Sequence, residues 1–313
     1  MRVLVTGSSG QIGSNLGERL TGLGHRVTGV DLRPNPWTDA FETLTCDLSI
    51  PDLELGALLG DRRFDVVVHL AAFAKVHELT LRPRKALSNI IIGLVVLEYC
   101  RETATPIAFG SSREVYGDIH RRETSEDCAD FVIAESPYSA SKIACEGLIY
   151  SYNKCYKLPY LVFRFSNVYG RYDCDLERLE RVTPLFIKRL ASGEPVTVYG
   201  REKVLDFTYV DDAVDGVVAG LEALVDGRVR NEICNLARGE GHSLGELVEL
   251  IASELGVEPS VTYKPSWPGE VTRYVANLSR ARQLLGYNPK VSLRDGISRS
   301  IAWQRQAGWL PRG

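Results

Sequence analysis

The chain has 313 residues, 44% of them hydrophobic and 25% charged, with a formal net charge of -3. That is enough apolar material for one large or two modest globular domains. A pI near 6.0, with arginine runs no longer than Arg62-Arg63 and Arg121-Arg122, excludes the basic stripe of a nucleic-acid binder.

Seven cysteines, at 46, 100, 128, 145, 155, 174 and 234, are odd in number and lack Cys-x-x-Cys spacing. This predicts reduced thiols rather than a disulfide framework. Met1 runs straight into an apolar segment, which leaves no room for a signal peptide, and no apolar run reaches membrane-spanning length. A cytoplasmic protein without a membrane or metal partner is expected.

Short β-branched runs alternate with helical patterns through the first two thirds, the habit of a parallel sheet covered on both faces. Strands are predicted at Arg2 to Thr6, Arg26 to Asp31, Asp65 to Leu70, Pro106 to Gly110 and Tyr160 to Phe165. Helices are predicted at Gln11 to Thr21, Lys85 to Arg101 and Ser136 to Lys154. The apolar run Ile90 to Leu97 reads as a core or subunit-interface helix.

From Val168 to Val204, Pro184, Gly193, Pro195 and Gly200 surround one helix, suggesting a smaller lobe over the sheet. The chain then returns to the sheet from Asp206 through a helix to a strand at Glu232 to Leu236. Ser243 with Glu246 forms a capping-box pattern. The expected division is a dinucleotide-binding domain of 1–167, continued by 206–236, and a smaller lobe of 168–205 and 237–313.

Gly7-Ser-Ser-Gly10-Gln-Ile-Gly13 follows the first strand and opens the first helix, the setting in which a glycine-rich turn admits a pyrophosphate. Asp31, at the end of the second strand, is placed to accept hydrogen bonds from ribose hydroxyls and to repel a 2'-phosphate, which favours NAD over NADP. Arg33 keeps the phosphate alternative open. Asp47 fits either a contact to the adenine or a helix cap.

His69-Leu-Ala-Ala72 and Phe109 to Gly117 end the next two strands, where ligands of open parallel sheets collect. Ser112 is a candidate hydroxyl there. Tyr138-Ser-Ala-Ser-Lys142 sets a phenol and an ammonium on one helix face. Alone, the pair is equally compatible with a solvated surface pair. Beside a nicotinamide it would be an acid/base pair, because a neighbouring cation favours the phenolate of a group that normally titrates near pH ~10.

Together these motifs resemble the extended short-chain dehydrogenase/reductase family, in its branch of NAD-dependent nucleotide-sugar epimerases and dehydratases such as the UDP-glucose 4-epimerases. The resemblance rests also on Asn89 with Gly93, Arg164 to Gly170, Gly193 to Gly200, Asp206 to Asp212 and Trp267 to Glu270. It implies an α/β fold, a Rossmann-type doubly wound parallel sheet with a smaller C-terminal α/β substrate lobe.

It further implies a bound NAD and a 4-keto sugar intermediate, with Ser112, Tyr138 and Lys142 catalytic. Cofactor contacts fall to Gly7, Gly10, Gln11, Ile12, Gly13, Asp31, Leu32, Asp47, Leu48, Leu70, Ala71, Ala72, Asn89, Lys142 and Phe165. Substrate contacts fall to Lys75, Arg113, Glu114, Tyr138, Asn167, Arg171, Val198, Tyr199 and Arg273. A nucleotide-sugar substrate and a homodimer are implied as well.

The departures bear on the reaction. Dehydratases of this branch carry Thr-Asp-Glu where this chain has Ser112-Arg113-Glu114, and a guanidinium cannot donate the proton that the Asp would. Epimerisation is therefore favoured. Decarboxylation remains open through Glu114, as does a non-catalytic NAD sensor. Leu205 and Trp267 stand where most relatives place arginines, which leaves Lys203, Arg201, Arg171 and Arg273 as alternative cations for a diphosphate.

Overall fold

The computed structural model describes residues 1–117, 123–126, 134–176, 181–267 and 270–311. Arg121, Arg122, Cys128, Pro268 and Gly269 lie outside the described residues.

The first part of the chain runs β1 (Arg2–Thr6), α1 (Gln11–Gly22), β2 (Arg26–Asp31), β3 (Glu42–Thr45), α2 (Leu55–Leu59), β4 (Val66–His69), α3 (Val76–Leu81) and α4 (Arg84–Thr103). It continues with β5 (Ile107–Ser112), a 3-10 turn at Arg113–Tyr116, α5 (Pro137–Tyr156), β6 (Tyr160–Phe165) and β7 (Asn167–Tyr169). Next come α6 (Val182–Ala191), β8 (Val196–Tyr199), β9 (Val204–Tyr209), α7 (Val210–Val225) and β10 (Glu232–Leu236). The chain closes with β11 (Gly241–Ser243), α8 (Leu244–Leu255), β12 (Val261–Lys264), α9 (Ser279–Leu285) and α10 (Leu293–Gln306).

Seven parallel strands form the main sheet in the order β10-β6-β5-β4-β1-β2-β3. From β1 the chain winds outward through β2 and β3, then returns to place β4 on the other side of β1. The order in which strands are added reverses there, and a crevice opens at the carboxyl ends of β1 and β4, where open α/β sheets bind ligands. The glycine-rich turn and His69-Leu-Ala-Ala72 both sit at this point. This is a Rossmann-type α/β fold.

Side-chain alternation along the strands divides the core into two layers. Val3, Val5, Val66, Val68 and Ala108 face α1 and α7, whereas Leu4, Val67, Ile107 and Phe109 face α4 and α5. All nine are essentially inaccessible to solvent, and each side chain larger than alanine contributes about 1.5–3 kcal/mol on burial. A doubly covered sheet of this kind reads in sequence as near-continuous valine, leucine and isoleucine.

Two smaller sheets lie above the carboxyl ends, one of β11, β9 and β7 and one of β12 and β8. The expected return of residues 206–236 to the main sheet holds for β10, which pairs with β6. The strand carrying Asp206 instead joins the three-stranded sheet beside β7 and β11. Asp206 explains the difference. Its buried carboxylate accepts the backbone amides of Arg238, Gly239 and Ala276 at 2.9, 2.9 and 3.2 Å, which binds β9 to the segments that follow β10.

Cys46, Cys100, Cys145, Cys155, Cys174 and Cys234 are free thiols. Among the described residues, no helix is long and apolar enough to cross a membrane.

Candidate active site

One cavity of about 1050 Å³ runs from the switch point of the main sheet to the smaller sheets. At its start, Gly7 has φ +76°, and a Cβ there would lie 2.6 Å from the Ala71 nitrogen. A Cβ on Gly13 would lie 2.2 Å from the Gly7 carbonyl oxygen. The turn is thus closed to any side chain at either position, and its backbone lies open to the cavity at the N-terminus of α1.

Asp31 is pinned at the end of β2 by the amides of Ser9 and Arg33, at 3.0 and 3.2 Å. It lines the cavity with Leu32, Asp47 and Leu48. Asp47 also accepts the Ser49 amide at 2.9 Å, a local turn that leaves it on the cavity wall. Leu70, Ala71, Ala72 and Phe165 complete this half beside Gly10, Gln11 and Ile12. A glycine cradle, an acid for ribose hydroxyls and small apolar walls together fit a dinucleotide.

Asn89 does not line the cavity. It holds the loop after β4, accepting the Phe73 amide at 2.8 Å while donating to the Phe73 carbonyl and to Ser141, each at 3.1 Å. Its action on the cofactor half is therefore one step removed, through the loop that carries Ala71, Ala72 and Lys75.

At the centre, Ser136 caps α5 in a reciprocal box with Ser139, and Pro137 begins the helix. That start places Tyr138 and, one turn on, Lys142 toward the carboxyl end of β5, and both line the cavity. Ser112 precedes the 3-10 turn and accepts the Glu114 amide at 3.2 Å. It also lies close enough to the Tyr138 phenol to favour its ionised form. Beneath them, Glu146 is bound by Arg164 at 2.7 Å and by Ser111 at 2.5 Å, a buried pair that ties α5 to β5 and β6.

The electrostatics differ from the sequence expectation. Burial pushes the Tyr138 phenol up to about 12, and Glu114 adds to the rise. The neighbouring Ser112 hydroxyl and the charges of Arg181 and Arg113 oppose it. Lys142 turns its ammonium to the Gly110 carbonyl at 2.7 Å, with the Tyr138 ring centroid 5.9 Å away. Burial lowers that ammonium to about 8. Burial thus keeps the proton on the phenol, and the Lys142 ammonium is engaged by the Gly110 carbonyl. His69, held by Thr6 at 2.8 Å, is pushed by burial and by Lys142 down to about 3 and is neutral.

The far half brings together Lys75, Arg113, Glu114, Asn167 and Tyr199. Arg113 pairs with Glu114 at 3.0 Å and donates to Asn167 at 3.3 Å. Three expected substrate contacts do not line the cavity. Arg171 turns away to Asp211 at 3.2 Å and Glu18 at 3.7 Å. Val198 is fully buried in the core, because alternation along β8 puts Thr197 and Tyr199 on the cavity side instead. Arg273 bridges to Val204 through its backbone, off the cavity wall.

Leu205 does face the cavity, so this stretch of wall is apolar. Of the four alternative cations, only Lys203 reaches the cavity, paired to Glu270 at 2.5 Å. Arg181, Arg189, Asp173 and Glu270 also line it. Sequence reasoning did not single out Arg181, Arg189 or Asp173, which no local spacing marks, and it met Glu270 only as the end of the motif that begins at Trp267.

A family model described as the NAD dependent epimerase/dehydratase family matches residues 3–237. A UDP-glucose 4-epimerase of Mycolicibacterium smegmatis is 32% identical over 320 residues, covering 97% of this chain and 99% of that protein. The crystal structure of UDP-glucose 4-epimerase with UDP-glucose from Thermotoga maritima matches with a TM-score of 0.89 at 29% identity, over 98% of this chain and 99% of that one. The UDP-glucuronic acid 4-epimerase from Bacillus cereus, in complex with UDP-glucuronic acid and NAD, matches with a TM-score of 0.87 at 29% identity, over 98% and 100%. The turn, the acid at the end of β2 and the matches agree, and the chain belongs to the NAD-dependent epimerase/dehydratase family of enzymes.

Proposed function

We propose that the protein is a nucleotide-sugar 4-epimerase acting on a UDP-hexose or UDP-hexuronic acid, with Tyr138 as its acid/base. The observation that carries this reading is that Ser112, Tyr138 and Lys142 line the same cavity as the glycine-rich turn. NAD, held by the glycine-rich turn and Asp31, would supply the hydride acceptor and donor for sugar C4. Tyr138 accepts the proton of the C4 hydroxyl as that oxygen becomes a carbonyl, and gives it back on return. Ser112 orients the same oxygen. Lys142 is placed to hold ribose hydroxyls, and a cationic nicotinamide ring would add to the charges of Arg181 and Arg113 in favouring the phenolate that Tyr138 needs as a base.

Dehydration is disfavoured by Arg113, which occupies the position of the proton donor and already engages Glu114 at 3.0 Å. The same ion pair removes Glu114 as a ready base. A sensor without chemistry would not need Ser112, Tyr138 and Lys142 together on the cavity wall. In our reading a second copy docks on α4 and α5, where Leu87, Leu94, Tyr150 and Tyr156 are exposed; light scattering that gave a monomer's mass would remove it.

Replacing Tyr138 with Phe tests the chemistry. General acid/base groups contribute about 10²–10⁴-fold, so turnover, followed by NMR with UDP-sugars as substrates, falls by at least that range while NAD binding is retained. Turnover at the wild-type rate would remove the mechanism, and a product of changed mass would replace epimerisation with elimination or decarboxylation.

A further inference from the structure

Arg181, immediately before α6, touches both halves of the cavity. Its Nη1 donates to Gln11 Oε1, to Asp173 Oδ1 at 2.9 Å and to the Val168 carbonyl at 3.3 Å. Gln11 opens α1 within the glycine-rich turn, and Asp173 lies on the loop that follows β7. Both are almost fully buried. Gln11 Nε2 and Asp173 Oδ2 have no hydrogen-bond partner, although buried polar groups are ordinarily satisfied. Donors and acceptors are thus left over around one guanidinium, beside a helix N-terminus whose amides face the cavity.

We propose that Arg181 is a diphosphate-binding residue, and that Asp173 holds its place in the ligand-free protein. The inference rests on the nucleotide-sugar reading only for one of its two sources, since NAD and the substrate each carry a diphosphate. A planar guanidinium matches phosphate oxygens two at a time. Leu205 brings no charge to the cavity lining, whereas Asp173 and Asp175 bring negative charge to it. Arg181 offsets that negative charge directly, through its ion pair with Asp173.

Asp173 is a weak competitor for the arginine. Burial pushes its carboxyl up to about 7 even with Arg181 beside it, so it can release the guanidinium by taking a proton. The Arg181 charge also helps to lower the Tyr138 phenol.

The test uses the full chain with Arg181→Gln, Arg181→Lys and Asp173→Asn. Calorimetry measures NAD binding and, at saturating NAD, binding of UDP as the substrate-side probe. Arg181→Gln is expected to weaken one of the two by about ten- to hundredfold, and which one names the source. Arg181→Lys recovers part of the loss, and Asp173→Asn binds at least as tightly as wild type.

Binding of both probes within twofold of wild type by Arg181→Gln would overturn the proposal. So would a tenfold loss in Asp173→Asn, which would mark the pair as a brace; that variant also decides the matter should Arg181→Gln fail to fold. Wild-type protein that binds NAD but not UDP would undo the nucleotide-sugar reading, while the NAD arm still judges Arg181.

Discussion

Along the cofactor half of the cavity, the fit is made by backbone. Gly7 and Gly13 leave no space for a Cβ, and Asp31 is fixed by two main-chain amides. Across the cavity, the fit is made by long charged side chains, each already paired: Arg113 with Glu114, Arg181 with Asp173 and Lys203 with Glu270. A backbone site accepts one ligand shape and cannot be retuned without moving a strand. Side-chain pairs exchange partners, so the second half can change specificity while the first stays constant.

The largest expected effect breaks the first half. Gly13→Ala drives a methyl into the Gly7 carbonyl, and overpacking of about 1–3 kcal/mol lowers NAD affinity by about 10- to 100-fold in calorimetry. Unchanged affinity would mean that the turn is not the cradle.

An intermediate effect concerns the centre. Burial holds the Lys142 ammonium at about 8 in place of 10.5, so its charged form is disfavoured by folding. That cost is complete below about pH 8 and fades as pH rises toward the unfolded value. Lys142→Met should therefore stabilise the ligand-free protein by about 1–3 kcal/mol at pH 7, with the gain gone near pH 10 and turnover lost. Denaturant unfolding at the two pH values checks the sign; a loss at pH 7 would show that the Gly110 hydrogen bond outweighs desolvation.

The smallest effect sharpens the second half. Trp267 is half exposed, with ring centroids 5.0 Å from Tyr199 and 4.8 Å from His77. Trp267→Ala should weaken UDP binding about two- to tenfold, the worth of an aromatic contact, and leave NAD binding alone. Equal loss of both ligands would deny the separation of the halves.

The same contrast decides what was legible in the sequence. Gly7 to Gly13, Asp31, Ala71 with Ala72, and Tyr138 with Lys142 are local patterns whose spacing carries their geometry. The main sheet was readable for the same reason, from strands of unbroken apolar residues. Arg171 and Arg181 look alike in sequence, yet one is turned to Glu18 and Asp211 and the other into the cavity; only tertiary pairing separates them. Val198 was within reach, since period-two alternation already set it opposite Tyr199. Asn89, expected as a cofactor contact, is bonded to Phe73 and Ser141 behind the cavity wall. The lowering of Tyr138 by Lys142 presumed an ammonium aimed at the phenol, and the Gly110 carbonyl has taken it.

The order of strands has a consequence for inheritance. The three-stranded sheet draws β7 and β9 from before α7, and β11 from beyond β10, whereas β10 closes the edge of the seven-stranded sheet. No single excision from the gene can release either sheet whole, and no single insertion can have delivered one. New specificities in such a chain must accumulate by substitution within loops and helix starts, as at residues 113, 181, 205 and 267, rather than by trading modules.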